Sequence, residues 1–211
     1  MLIQGQVGPQ SATASLGVGT QPPARFGNMG ELVVGALHGD HYEANYRRSL
    51  YAAANQTGVV TTVGPALTYT GLCLSNPVGS GINVSIDDVG LSFLVAFPAA
   101  ASIGVMVGYN SSTNVTHTTP VTPRSMFVGV GVVGQALVDS SCTFPTVPTL
   151  TNVLGVGLTG VITTATGILP MNWDAAGAII LPPGGYVAIW TSTVSGAAAM
   201  FASFLWEEVP Q

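Results

Sequence analysis

The densest run of ligand-type side chains is His38-Gly39-Asp40-His41-Tyr42-Glu43, where imidazoles and carboxylates lie close enough in sequence to hold a divalent cation. Gly39 interrupts a helical presentation of these groups, and no third histidine or cysteine lies nearby. The run therefore reads as polar side chains that face water or hydrogen-bond across an interface, and no metal or cofactor is expected. His117 stands alone in a Thr-rich stretch and reads as a solvated residue. Serines are plentiful, but none sits in a G-x-S-x-G elbow before a helix, and a triad would have to be drawn from three histidines and nine acids. The adjacent pairs Asp87-Asp88 and Glu207-Glu208 are poorly placed as acid and base, because neighbouring residues on a strand point to opposite faces. No lysine and no helix follow the glycines of VGVGVVGQ (128–135), so they make no phosphate loop. Trp173, Trp190 and Trp206 with Tyr186 could stack sugars, although such side chains more often fill a sandwich core or a subunit contact. The chain reads as non-enzymatic.

Composition says more than any motif. The 211 residues include no lysine; the basic side chains are Arg25, Arg47, Arg48 and Arg124, against nine acids. Charged residues make up 6% of the chain, where a soluble domain usually carries about 25%. Such a surface is either built from Ser, Thr, Asn and Gly or covered by other proteins. The second reading is preferred, because permanent interfaces shed charge. With a net charge of −5 and no basic patch, nucleic acid is not an expected partner. The Arg47–Arg48 pair alone could meet a phosphate or a carboxylate. Cys73 and Cys142 could form a disulfide, but two buried thiols are the expected state. The opening MLIQGQVGPQSATAS has neither a basic segment nor a long apolar one, which argues against a secretory signal. The stretch 89–109 is long enough to span a bilayer, yet it contains Ser92, Pro98, Ser102, Gly104 and Gly108 and lacks flanking Lys or Arg. Its FPAAAS centre reads as a turn between two buried strands, and no membrane is expected.

These features are carried by a chain of two parts. Residues 1–45 are read as an extended N-terminal arm, rich in Gly, Pro, Gln, Ser and Thr, whose RFGNMGELVV segment carries apolar side chains that need a surface. A short helix or extended arm is expected near 40–48 and a strand near 49–55. Residues 46–211 are read as a β-sandwich. Strands are expected near 59–63, 67–75, 82–97, 101–109, 126–138, 150–164, 177–181, 185–194 and 198–208. Turns are expected at 76–81, 97–102, 110–114, 118–123, 143–148, 169–174 and 181–185. The Gly-Val runs at 128–135 and 153–161 are read as tightly packed strands that assembly would cover.

The block TYTGLCLSNPVGSGINVSIDDVG (68–90), the later LPPGGYVAIW (181–190) and the terminal FLWEEVP (204–210) together resemble structural proteins of tailed-bacteriophage virions. The PPGGYV step into a late strand is also similar to jelly-roll and tumour-necrosis-factor-like trimers. The resemblance implies an all-β sandwich of jelly-roll type acting as a capsid decoration or cement protein. It implies a homo-oligomer, with a trimer favoured, bound to the major capsid protein or other virion proteins after assembly in the host cytoplasm. A tail, neck or fibre position with a receptor- or glycan-binding role is the alternative. Expected contact residues, read from composition and position, are Phe26, Met29, Leu32, Tyr42, Tyr46 and the pair Arg47 and Arg48, whose guanidinium groups suit partner carboxylates.

Overall fold

A computed structural model describes residues 39–129, 131, 133–157, 171–197 and 199–211, together with the short segments 5–6 and 24–25. The chain divides into two compact units, Met1–Tyr42 and Glu43–Gln211. In the first, β1 (Gly5–Gln6) pairs in parallel with β2 (Ala24–Arg25). Phe26, Met29 and Leu32, three of the expected contact residues, lie outside the described residues. The helix expected near 40–48 is α1 (Tyr42–Tyr46). It ends where Arg48 turns left-handed at φ 63°, and Ser49 caps it by donating both its amide and its hydroxyl to the Ala44 carbonyl.

The second unit is a sandwich of two antiparallel sheets. Its strands are β3 (Leu50–Ala54), β4 (Thr68–Ser75), β5 (Ile82–Phe93), β6 (Ala101–Tyr109), β7 (Thr116–Val121), β8 (Arg124–Ser125), β9 (Leu137–Thr143), β10 (Thr149–Gly157), β11 (Met171–Leu181), β12 (Gly185–Thr191) and β13 (Met200–Pro210). One sheet runs β11-β5-β13-β3-β8 and the other β10-β6-β12-β4-β9-β7. Their facing sides are set by period-2 alternation. On β13, Met200, Ala202, Phe204 and Trp206 are buried while Phe201, Ser203, Leu205 and Glu207 face outward, half-exposed. Leu72, Leu74, Ile103, Val105, Val187 and Ile189 meet them from the six-stranded sheet. Each such side chain contributes about 1.5–3 kcal/mol on burial.

On β5 the apolar phase slips by one residue, from Val84 and Ile86 to Val89, Leu91 and Phe93. The pairing shifts at the same place in both neighbours, between Leu205 and Trp206 on β13 and between Asp174 and Ile179 on β11. Asp87 is thus the extra residue of a bulge.

A second cluster lies on the far side of the six-stranded sheet, where Tyr69, Cys73, Met106, Cys142, Tyr186 and Ala188 are roofed by Val115 and Phe144. The Phe144 and Tyr186 rings stack with centroids 4.7 Å apart. Glycines make room for the two tyrosines: a Cβ on Gly71 would lie 2.1 Å from the Tyr69 hydroxyl, and one on Gly108 would lie 2.2 Å from the Tyr186 ring.

Several sequence expectations need correction. Within the strand expected at 126–138, β9 begins only at Leu137, and the described residues among 126–136 form no strand. Gly129, Gly131 and Gly134 offer no side chains for cross-strand pairing. The connection is held instead by a carboxylate, as Glu208 accepts the amides of Gln135 and Ala136, each at 2.9 Å. Residues 171–174, expected as turn, open β11, and β7 occupies most of the turn expected at 118–123. The strand expected at 59–63 is reduced to two single bridges, at Val59 and Val63.

Candidate functional site

Two places in the sandwich gather polar or charged groups. The first is built on β9. Asp139 is 1% exposed and lies opposite Cys73 of β4, while Cys142 lies opposite His117 of the edge strand β7. His117 Nδ1 and Asp139 Oδ2 are hydrogen-bonded, so His117, although exposed on one side, is held by a partner and not simply solvated. Cys73 and Cys142 are free, buried thiols. Burial, with Cys142 and Asp139 nearby, pushes the Cys73 thiol well above its usual range, so it is a protonated group and not a nucleophile.

An aspartate on Nδ1 orients an imidazole as it does in an acid–base triad. The rest of such a site is already committed elsewhere. In the cleft that His117 lines, the Ser75 hydroxyl donates to the Leu137 carbonyl, and the amides of Gly184 and Gly185 are bonded to the carbonyls of Asn76 and Pro182. The cleft has room for about one water, at 10 Å³. The pair works as a clasp: it gives the Oδ2 of a buried carboxyl a partner and pins β7, whose side chains are mostly exposed, to the sheet, while Asp139 Oδ1 stays buried without a hydrogen-bond partner.

The second place is the outer face of the five-stranded sheet. A groove of about 430 Å³ crosses it, lined by Ala54, Gly90, Ser92, Asn172, Phe201 and Ser203. Beside the groove, one cross-strand row spans all five strands. Asp174 is opposite Asp88, Asp88 opposite Leu205, Leu205 opposite Ala52 and Ala52 opposite Arg124. Asp88 accepts a hydrogen bond from Asn172 at 3.0 Å. Asp174 and Arg124 are both exposed and, among the described residues, neither forms an ion pair. Along this row the sheet is acidic at one end and basic at the other, with Leu205 and Ala52 between them; two residues further along β13, Glu207 also faces outward.

The strand edges are less open than the faces. β10 carries two register shifts, and β11 bulges across Ala175–Ala178, where Ala176 and Gly177 have φ of 43° and 77°. β7 contains Pro120 and two further shifts, and β8 has two residues. All four edges thus carry the features that block strand-to-strand pairing.

The expected contact residues that lie within the described chain are distributed as follows. Tyr42 and Tyr46 are 43% and 64% exposed. Arg47 lies 3.8 Å from Glu43 on the surface of α1, and Arg48 stacks 5.8 Å from the Phe127 ring centroid. The two arginines do not act as a unit. The aromatic side chains considered for sugar stacking do not form a platform: Trp206 and Tyr186 are fully buried in different clusters, and Trp173 packs against the main core. Among the described residues no three His, Cys, Asp or Glu side chains converge as metal ligands, and no helix is long and apolar enough to cross a membrane. Sequence reading missed the His117–Asp139 clasp, whose partners lie 22 residues apart, and the cross-strand row, which only the register assembles.

Compared with protein-family models, with curated proteins and with solved structures, the chain has no match.

Proposed function

We propose that the chain is a non-enzymatic structural subunit, a decoration or cement protein of a virion shell, which works by packing against copies of itself and against other shell proteins. The observation that carries this reading is the outer face of the five-stranded sheet. It is broad, grooved and half-exposed, and apart from Asp88 and Glu207 the outward side chains of its inner strands are uncharged. Stable interfaces are likewise poor in charge at their core. The cleft beside His117 argues the same way, because its Ser75 hydroxyl and its Gly184 and Gly185 amides are spent on structure.

The sandwich is read as a jelly roll. Counting only β3, β4, β5, β6, β10, β11, β12 and β13, and numbering them one to eight, the sheets run 1-8-3-6 and 2-7-4-5. That order is the doubled Greek key of a jelly roll, with β7, β8 and β9 as an insertion between the fourth and fifth strands, and it supports the reading. The N-terminal residues would then tie the sandwich to its neighbours as an arm.

Quantitative mass spectrometry of particles purified from producing cells tests the function. A shell component is expected at hundreds of copies per particle. Absence from particles would overturn the proposal, and a few copies would move the chain to the neck or tail.

A further inference from the structure

We infer that the chain forms a closed head-to-tail ring, in which the β8 margin of one copy packs on the β11 margin of the next. Arg124 pairs there with Asp174 of the neighbouring copy, and Val128 and Val133 pack against its Ile180. The inference rests on the assembly reading above and gives it a partner and a geometry.

The two margins of the five-stranded sheet are unlike and complementary. At β8, Arg124 stands beside a hollow of about 550 Å³ lined by Pro123, Met126, Val128 and Val133. Val128 and Val133, at 88% and 84%, are the most exposed large apolar side chains of the described chain. At β11, Asp174 lies opposite Asp88. Farther along that strand a hollow of about 510 Å³ is lined by Tyr109, Ala178, Ile180 and Pro182, and Ile180 is 60% exposed. One margin is thus basic and apolar, the other acidic and apolar. Single exposed apolar side chains are ordinary, but here two apolar patches on opposite margins each adjoin a charge of opposite sign.

Register sets these features at matching heights. Arg124, Ala52, Leu205, Asp88 and Asp174 form one row. Two residues on, the Met126 amide donates to the Leu50 carbonyl, and Leu50, Glu207, Ser85 and Ile180 form the next outward row. Both margins therefore run in the same direction along the strands, from the charged residue to the apolar patch. A rotation about an axis parallel to the strands preserves height, so one contact brings Arg124 to Asp174 and the valines to Ile180. Glu207 lies on the central strand β13, away from both margins. A margin packed against its own copy would offer Arg124 only a second basic margin and Asp174 only a second acidic one. The contact is therefore heterologous, and rotation closes it into a ring. The bulge on β11 and the shortness of β8 do not oppose it, because side chains make the contact and backbone pairing does not.

Sedimentation velocity on the full-length chain tests it. The native chain is expected to form one closed species larger than a dimer, because a ring of two would bring each margin onto its own kind of contact. Val133→Glu and Ile180→Glu each disable one margin at an exposed position. Each variant alone is expected to be monomeric. Their mixture is expected to give one-to-one dimers and nothing larger, because the intact β11 margin of V133E takes the intact β8 margin of I180E. Arg124→Asp is expected to weaken association about tenfold, and R124D/D174R to recover most of that loss, a readout independent of the apolar substitutions. A mixture that stays monomeric, or one apolar variant that associates like the native chain, would overturn the inference. So would a native ladder that lengthens with concentration. An oligomeric chain indifferent to all these changes would overturn the ring and leave the assembly reading standing. Absence from particles, by contrast, would overturn the assembly reading whether or not the ring forms.

Discussion

Asp174 sits directly opposite Asp88 across the β11–β5 ladder, on the outer face of the sheet, where among the described residues no cation forms an ion pair with either. Opposed like charges of this kind cost about 0.2–1 kcal/mol. Asp174→Asn is therefore expected to raise the stability of the dilute chain by about that amount. Thermal melts at low concentration check this effect. A lower Tm for the variant would contradict it.

The His117–Asp139 clasp gives a second prediction. Removing the imidazole leaves the buried Asp139 carboxyl without its hydrogen-bond partner, at a cost of about 1.5–3 kcal/mol. His117→Ala should lose that much in urea unfolding. The double variant H117A/D139N should lose less than the sum of the single changes, because the amide needs no counter-charge. Additive losses would mean that the two side chains are energetically independent.

Glu208 holds the 126–136 connection to the sandwich through two backbone amides. Glu208→Gln keeps one acceptor oxygen and forfeits the charge. Faster proteolysis between Met126 and Ala136 is expected, with a stability loss of about 1–3 kcal/mol. Unchanged amide exchange at Gln135 and Ala136 would show that the carboxylate does not fasten the loop.

Alkaline pH should unfold the protein. Burial pushes the hydroxyls of Tyr69 and Tyr186 and the thiol of Cys73 above their ordinary ranges in the folded state. In the unfolded chain these groups lose their protons near their usual values of 9.0 for the thiol and 10.0 for the hydroxyls. The folded state then holds more protons, so stability is full below those values and falls as pH rises through them. Chemical denaturation between pH 8 and 11 (about the span of the unperturbed values) should show this decline. Cys73→Ala should flatten its onset, and a flat profile for the native chain would contradict the burial of these groups.

Alternation made much of the sandwich legible. Tyr186–Trp190 and Phe201–Trp206 signal strands directly, and β6 falls where its apolar run and flanking turns put it. The failures have physical causes. The Gly-Val run at 128–135 mimics a strand in hydropathy, but Gly129, Gly131 and Gly134 offer no side chains to pair. Pro120 and the threonines of β7 look like a turn, although an edge strand tolerates proline on its free side. Asp87 and Asp88 look like an ordinary adjacent pair, but a bulge places Asp88 outward between two core-facing segments. The partners of His117 and Asp174 are fixed by register between distant strands, and no local pattern announces them.

The central claim is that the outer face of the five-stranded sheet is an interface between copies of this chain. Sedimentation equilibrium of the full-length protein, over a wide concentration range at low and high salt, addresses it most directly. A reversible, concentration-dependent self-association is expected. A single species of monomer mass at every concentration and salt would contradict it.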